Sequence, residues 1–380
     1  MDFALTQDQK MVRDMVREFA VKELEPIAAE IDESREFPFP TLKKMAGLGL
    51  MGVVIPEEYG GAGMDFTTLA IICEEISRVC ASHGVITAVN NSLCAYPIYH
   101  FGTEEQRKKY LPDLCSGKKF GAIGITEPNA GSDPASMETT AVDKGDHYVL
   151  NGTKAWITNG EAADTFIIFA YTDPEERHKG MSAFIVEKDF EGFSVGKHEN
   201  LMGIRATGNC ELIMDDCIVP KENILGDEGH GFKVVMHTLD VSRIDIGAQG
   251  VGISQGALDA AIKYSKERVQ FGKPICEFEM VQDMIAQMSA RTDAARLLVY
   301  RAASMKDGGA ERFTREAAIA KYYAAETVVD VTRMAVQIHG GNGYSKEYPV
   351  ERMYRDAKIV EIYEGTSQVQ KIVIARNALK

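Results

Sequence analysis

HYVLNGTKAWITNG, residues 147–160, sets β-branched and aromatic residues among polar ones and contains two Asn-Gly pairs. That pattern reads as strand and turn, not helix. Three further runs repeat it: DTFIIFAYT (164–172), MSAFIVEK (181–188) and CELIMDDCIVP (210–220). Acidic or glycine-bearing turns lie between them, and no helical pattern intervenes. A βαβ unit needs such a helix, so the stretch predicts an antiparallel β unit.

Working outward, both flanks are helical. Thr6-Gln-Asp-Gln9 and Thr103-Glu-Glu-Gln106 fit the reciprocal capping pattern that starts a helix. Met11, Val12, Met15, Phe19 and Val21 then recur at roughly helical spacing. A second run spans about 66–80, after Pro56 and the loop-forming GGAG of 60–63. Beyond the β stretch, helical patterns cover about 233–267, 278–306, 312–338 and 366–378, which predicts a bundle. The expectation is an α+β multidomain chain. It has an N-terminal helical domain (1–118), a middle antiparallel, barrel-like β domain (119–230) and a C-terminal four-helix bundle (231–380).

Composition narrows the function. The chain has 380 residues, 45% hydrophobic and 26% charged, a globular balance. No run approaches the roughly 20 apolar residues of a membrane helix, and no targeting segment opens the chain, so a cytoplasmic protein is expected. A net charge of −14 argues against nucleic acid as partner but permits an anionic small ligand. Seven cysteines without a CxxC pair read as buried, reduced thiols, and eight histidines without ligand spacing predict no metal site.

Glycine motifs give little alone. GAQGVG (247–252) lies inside a helical pattern and reads as small residues for close helix packing. HGGNGY (339–344) is either a helix C-cap or a ligand-facing loop. There is no phosphate loop, and a Rossmann-type nicotinamide enzyme is unsupported. GAIGITEPNAGSD (121–133) offers hydroxyls and backbone N–H groups, as connector or as ligand loop. Trp156, the only tryptophan, is core or stacking platform. Arg268 and Phe271 in ERVQFGKPI (267–275) either cap a helix or clasp a pyrophosphate and an adenine. Glu364 in IYEGTSQVQ (362–370) is either a helix-end charge or a base.

In this order, IPEEYGG (55–61), ITEPNAGSD (125–133), WITNG (156–160), ERVQFGKP (267–274), QIHGGNGY (337–344) and IYEGTSQVQ resemble the recurring stretches of the acyl-CoA dehydrogenase family. The resemblance covers essentially the whole chain and is nearest to short-chain, butyryl-type members of bacteria. It implies a flavoenzyme. Ile123, Ile125, Thr126, Ser132, Trp156 and Thr158 would line the flavin ring of FAD. Arg268, Phe271, Gln337, Gly340 and Gly341 would reach the pyrophosphate and adenine from a neighbouring subunit, and Thr366 and Gln368 would hold FAD from the far side. Such sharing requires at least a dimer, and family members of this length are usually homotetramers.

The resemblance also implies the reaction. Glu364 would remove the α-proton of an acyl-CoA thioester while flavin N5 takes the β-hydride, with electrons passing to electron-transfer flavoprotein. Ser132, Asp240, Arg243, Tyr363 and Gly365 would contact the substrate. Members that place the base elsewhere carry a glutamate where this chain has Ser242, and glutaryl-specific members carry an arginine where it has Gly84. Both absences favour a short, neutral acyl chain. Branched, alicyclic or medium-chain thioesters are the alternatives within the family, and a non-catalytic acyl-CoA or flavin-binding scaffold is the alternative outside catalysis.

Overall fold

A computed structural model describes residues 4–380. The helical start is built as the capping pattern requires. Thr6 Oγ1 accepts from Gln9 N at 3.2 Å while Gln9 Oε1 accepts from Thr6 N at 3.1 Å, opening α1 (Gln7–Phe19). Helices α2 (Ala28–Ser34), α3 (Phe39–Gly47), α4 (Phe66–Ser77), α5 (Ala81–Ala88), α6 (Tyr96–Phe101) and α7 (Glu104–Cys115) follow. Thr103 and Gln106 cap α7 in the same reciprocal way. Every residue of α4 is buried, so its two acidic side chains need partners. Glu74 accepts from Arg296 Nε and Tyr300 OH, both at 2.8 Å, and Glu75 from Arg17 at 2.6 and 2.9 Å. Between α5 and α6 the helix widens into a π-helix, Val89–Ala95.

The middle region is one seven-stranded sheet: β1 (Gly121–Gly124), β2 (Thr140–Asp143), β3 (His147–Ile157), β4 (Thr165–Tyr171), β5 (Met181–Glu187), β6 (Phe193–His198) and β7 (Cys210–Pro220). Its order is β1-β4-β2-β3-β7-β6, with β5 also on β4. The expected antiparallel pairing holds for β2–β3, β3–β7, β4–β5 and β6–β7. The exceptions are β1 and β2, which both meet β4 in parallel. Strand β4 is buried on both faces: Ile167 and Phe169 pack towards the helices, Phe166 and Ile168 into the curl of the sheet. A strand covered on both sides reads as a continuous apolar run, which explains TFIIFAY.

The C-terminal region contains α8 (Gly231–Glu267), a small hairpin of β8 (Val269–Gln270) and β9 (Lys273–Pro274), α9 (Glu279–Asp307), α10 (Thr314–His339), α11 (Val350–Val360) and α12 (Ser367–Ala378). The four expected helices are present, and α11 is an additional one. GAQGVG is helix-packing sequence: a Cβ on Gly252 would stand 2.2 Å from the Glu74 carbonyl oxygen of α4. All seven cysteines are free. Among the described residues no helix is long and apolar enough to cross a membrane.

Candidate active site

The turn between α11 and α12 carries Glu364, and its conformation is imposed from outside. Glu364 and Gly365 adopt φ of +54° and +87° in succession. The first is uncommon for a residue with a Cβ, and such geometry persists only where surrounding structure holds it. Lys321 Nζ of α10 donates to the Gly365 carbonyl at 2.6 Å, and Gln370 Nε2 donates to the carbonyls of Glu364 (2.9 Å) and Gly365 (3.0 Å). The φ of +87° favours glycine at 365, and a Cβ there would displace the Gln370 amide that holds the turn.

The turn bears on the helix-end reading of Glu364. A helix-end charge would lie over the first amides of α12. Thr366 takes that place instead, accepting from Val369 N at 3.2 Å. The Glu364 carboxyl points to α8, where Ser242 Oγ donates to Oε2 at 2.6 Å. Part of Glu364 is exposed, but its carboxyl end is enclosed: burial raises its pKa above the usual carboxylate range, against opposing effects of the Ser242 hydrogen bond, Arg243 and Lys321. Burial likewise lowers Lys321 to about 7 despite the pull of Glu364. The Glu364 N–H has no acceptor among the described residues.

Of the expected substrate contacts, Asp240, Arg243, Tyr363 and Gly365 gather around this carboxyl. Tyr363 OH donates to Gln249 Oε1 of α8. Arg243 is buried, pairs with Asp240 at 2.7 Å and leaves its Nε without a partner. Asp240 also accepts from Thr314 Oγ1 at 2.5 Å, so it acts on Arg243 from within the protein. Ser132 is exposed on its loop. Gly84 fits the absence of an arginine there, because even a Cβ would stand 2.0 Å from Ser77 Oγ.

The residues expected at a flavin ring lie on β1, on the loop after it and at the C-terminal end of β3. Ile123, Ile125, Thr126 and Thr158 are half-buried, and Trp156 is 57% exposed at φ +63°, beside a register shift of β3 against β7. That exposure rules out the core reading of Trp156. Thr158 Oγ1 receives only a long contact from Asn209 Nδ2 (3.4 Å), and Asn209 Oδ1 is buried without a partner. An uncovered indole beside half-buried isoleucines and underused polar atoms fits a flat heteroaromatic ring with a polar edge.

Other expected cofactor residues lie far from Glu364 within the same chain. Arg268 follows the end of α8, 25 residues after Arg243, which is about 37 Å along a helix. Phe271 on the adjoining hairpin is 94% exposed, and Gln337, Gly340 and Gly341 are exposed at the far end of α10. Cβ atoms on Gly340 and Gly341 would meet nothing, leaving their backbone approachable. Thr366, which caps α12, and Gln368, exposed on that helix, instead adjoin the Glu364 turn.

Sequence reasoning missed Lys321, Asp245, Gln249 and Gln370, and used Ser242 only as a missing glutamate. One signal was available. Lys321 stands in the apolar stripe of Ala317, Ala320, Ala324 and Val328, where a lysine is costly unless it has a buried partner.

Three models match almost the entire chain: the N-terminal domain of acyl-CoA dehydrogenase over residues 6–118, the middle domain over 122–217 and the C-terminal domain over 229–379. The short-chain specific acyl-CoA dehydrogenase of Clostridium acetobutylicum is 54% identical, covering 99% of both chains. Butyryl-CoA dehydrogenase from Megasphaera elsdenii superposes with a TM-score of 0.98 at 45% identity, over 100% of both chains. A chain from the structural study of the electron transferring flavoprotein of Acidaminococcus fermentans gives 0.98 at 50% identity, again over 100% of both. The fold, with its helical ends and curled central sheet, is the one those domains share. The chain belongs to the acyl-CoA dehydrogenase family.

Proposed function

We propose that this protein is an FAD-dependent acyl-CoA dehydrogenase that desaturates short, neutral acyl-CoA thioesters, with Glu364 as the base that removes the α-proton. The observation that carries this reading is the direction of the Glu364 carboxyl, turned away from the α12 terminus and enclosed against Ser242, Arg243 and Lys321. A carboxylate is a poor base for a thioester α-proton unless burial raises its pKa and the enolate is stabilised. Burial supplies the first. The unpaired Glu364 N–H supplies a donor for the thioester carbonyl, with Gly365 leaving room beside it. Ser242 holds the carboxyl in place, and with Arg243 and Lys321 it lowers the pKa against that burial. Tyr363, fixed by Gln249, walls the pocket, while Arg243 and Ser132 face the substrate and Asp240 orients Arg243.

Ile123, Ile125, Thr126, Ser132, Trp156 and Thr158 would hold the flavin ring, with Thr366 and Gln368 on its far side. Bound FAD supplies the hydride acceptor for the β-carbon. Arg268, Phe271, Gln337, Gly340 and Gly341 would serve the FAD of a neighbouring subunit, since the length of α8 separates Arg268 from its own Glu364. The assembly is therefore at least a dimer, and a homotetramer in this reading. The electron acceptor is electron-transfer flavoprotein, the location the bacterial cytoplasm, and the domain boundaries 118/119 and 230/231. A panel of acyl-CoAs mixed anaerobically with the flavin-loaded protein tests the reading. Flavin absorbance should bleach with four-carbon chains, and that bleaching should be weak or absent with glutaryl-CoA and with long chains. An unbleached flavin with every thioester contradicts it.

A further inference from the structure

The face of α8 towards the Glu364 turn carries Ser242, Asp245 and Gln249, at spacings that put all three in one row. Ser242 donates to the Glu364 carboxyl and Gln249 accepts from Tyr363 OH. Between them Asp245 is fully buried, and neither of its carboxyl oxygens has a partner. Glu364, Cys73 of α4 and Ser92 of the π-helix surround it, and none of these is a cation. Ser92 Oγ donates to the Ala88 carbonyl at 2.8 Å, and it is the one hydroxyl near enough to Asp245 to hold that carboxyl's pKa down against burial. Folded proteins seldom keep an unpaired buried carboxyl without a use for it. Burial pushes Asp245 up to about 8, so near neutral pH it is an uncharged acid that can donate and accept.

We propose that Asp245 is a specificity-determining residue whose carboxyl hydrogen-bonds a hydroxyl on the acyl chain, two to three carbons beyond the α-carbon that faces Glu364. This rests on the dehydrogenase reading of the Glu364 site. The reach follows from the helix: residues three apart stand about 5–6 Å from one another, the span of roughly three to four carbon–carbon bonds. A wholly apolar chain leaves the carboxyl unpaired, so the pocket discriminates by the cost of an unmet polar group.

The test uses FAD-loaded enzyme and two substrate pairs: butyryl- against 4-hydroxybutyryl-CoA, and pentanoyl- against 5-hydroxypentanoyl-CoA. Wild type should favour at least one hydroxylated member by about tenfold or more in kcat/KM. Asp245→Ala should abolish or reverse that ratio, and Asp245→Asn should retain part of it. Because the readout is a ratio within one preparation, a general loss of activity cancels. If the alanine variant does not fold, the wild-type ratios and the asparagine variant decide. Wild-type ratios at or below one, or ratios unchanged in the variants, overturn the proposal while leaving the dehydrogenase reading intact. If no thioester of either pair reduces the flavin, both fall together.

Discussion

Ser242→Ala removes one hydrogen bond from the candidate base, and its effect can be worked out. The 2.6 Å contact from Ser242 Oγ is the largest of the effects that oppose burial and hold the Glu364 pKa down. A hydrogen bond to a charged group contributes about 1.5–3 kcal/mol, and one pKa unit corresponds to about 1.4 kcal/mol. Losing the bond should therefore raise the Glu364 pKa by about 1–2 units. The assay is kcat/KM for butyryl-CoA against pH, whose acid limb reports the base of the free enzyme. That limb should move to higher pH by the same amount, so the variant is about 5- to 50-fold slower where wild type is half-ionised. Above the shifted pKa the two should converge. An acid limb that stays in place would refute the assignment of that limb to Glu364. Uniform slowing at every pH would point to a distorted pocket instead.

Lys321→Met tests the other side of the turn. Burial holds the folded pKa of Lys321 at about 7, below its ordinary 10.5, so between those values the unfolded chain binds more protons and wild-type stability rises with pH. Urea midpoints measured from pH 7 to 10 should show that rise in wild type and lose it in the variant. The variant should also reduce flavin more slowly, because Gly365 loses its 2.6 Å donor. At the loop carrying Thr126, Lys154 is fully buried and donates to Glu127 Oε1 at 2.7 Å. Glu127→Ala strands that cation and should cost about 3–5 kcal/mol in urea unfolding; a loss below about 1 kcal/mol would mean the pair matters little.

Local features of the fold were legible in the sequence. The capping boxes at Thr6 and Thr103 use residues three apart, and the strands from His147 onward carry their own propensity and turns. Helix α11 was not, because its apolar stripe of Val350, Met353, Ala357 and Val360 is narrow and set among charged residues. Strand β1 is four residues of GAIG whose parallel register depends on β4, 44 positions later. The site divides the same way. Glu364, Arg243 and the glycines were recognisable as motif residues. What aims the carboxyl is tertiary: Ser242 lies 122 residues away and Lys321 reaches Gly365 across 44. No local pattern encodes such contacts, and a buried Asp245 just before the glycines of 247–256 looks in the sequence like any helix-surface acid.

The dehydrogenase reading requires Glu364 to take the α-proton. The direct measurement is stopped-flow flavin reduction by butyryl-CoA under anaerobic conditions, comparing wild type with Glu364→Gln at matched FAD content. Wild type should bleach, and the variant should lose several orders of magnitude in rate with acyl-CoA still bound. Reduction by the glutamine variant within about tenfold of wild type would contradict it and place the base elsewhere.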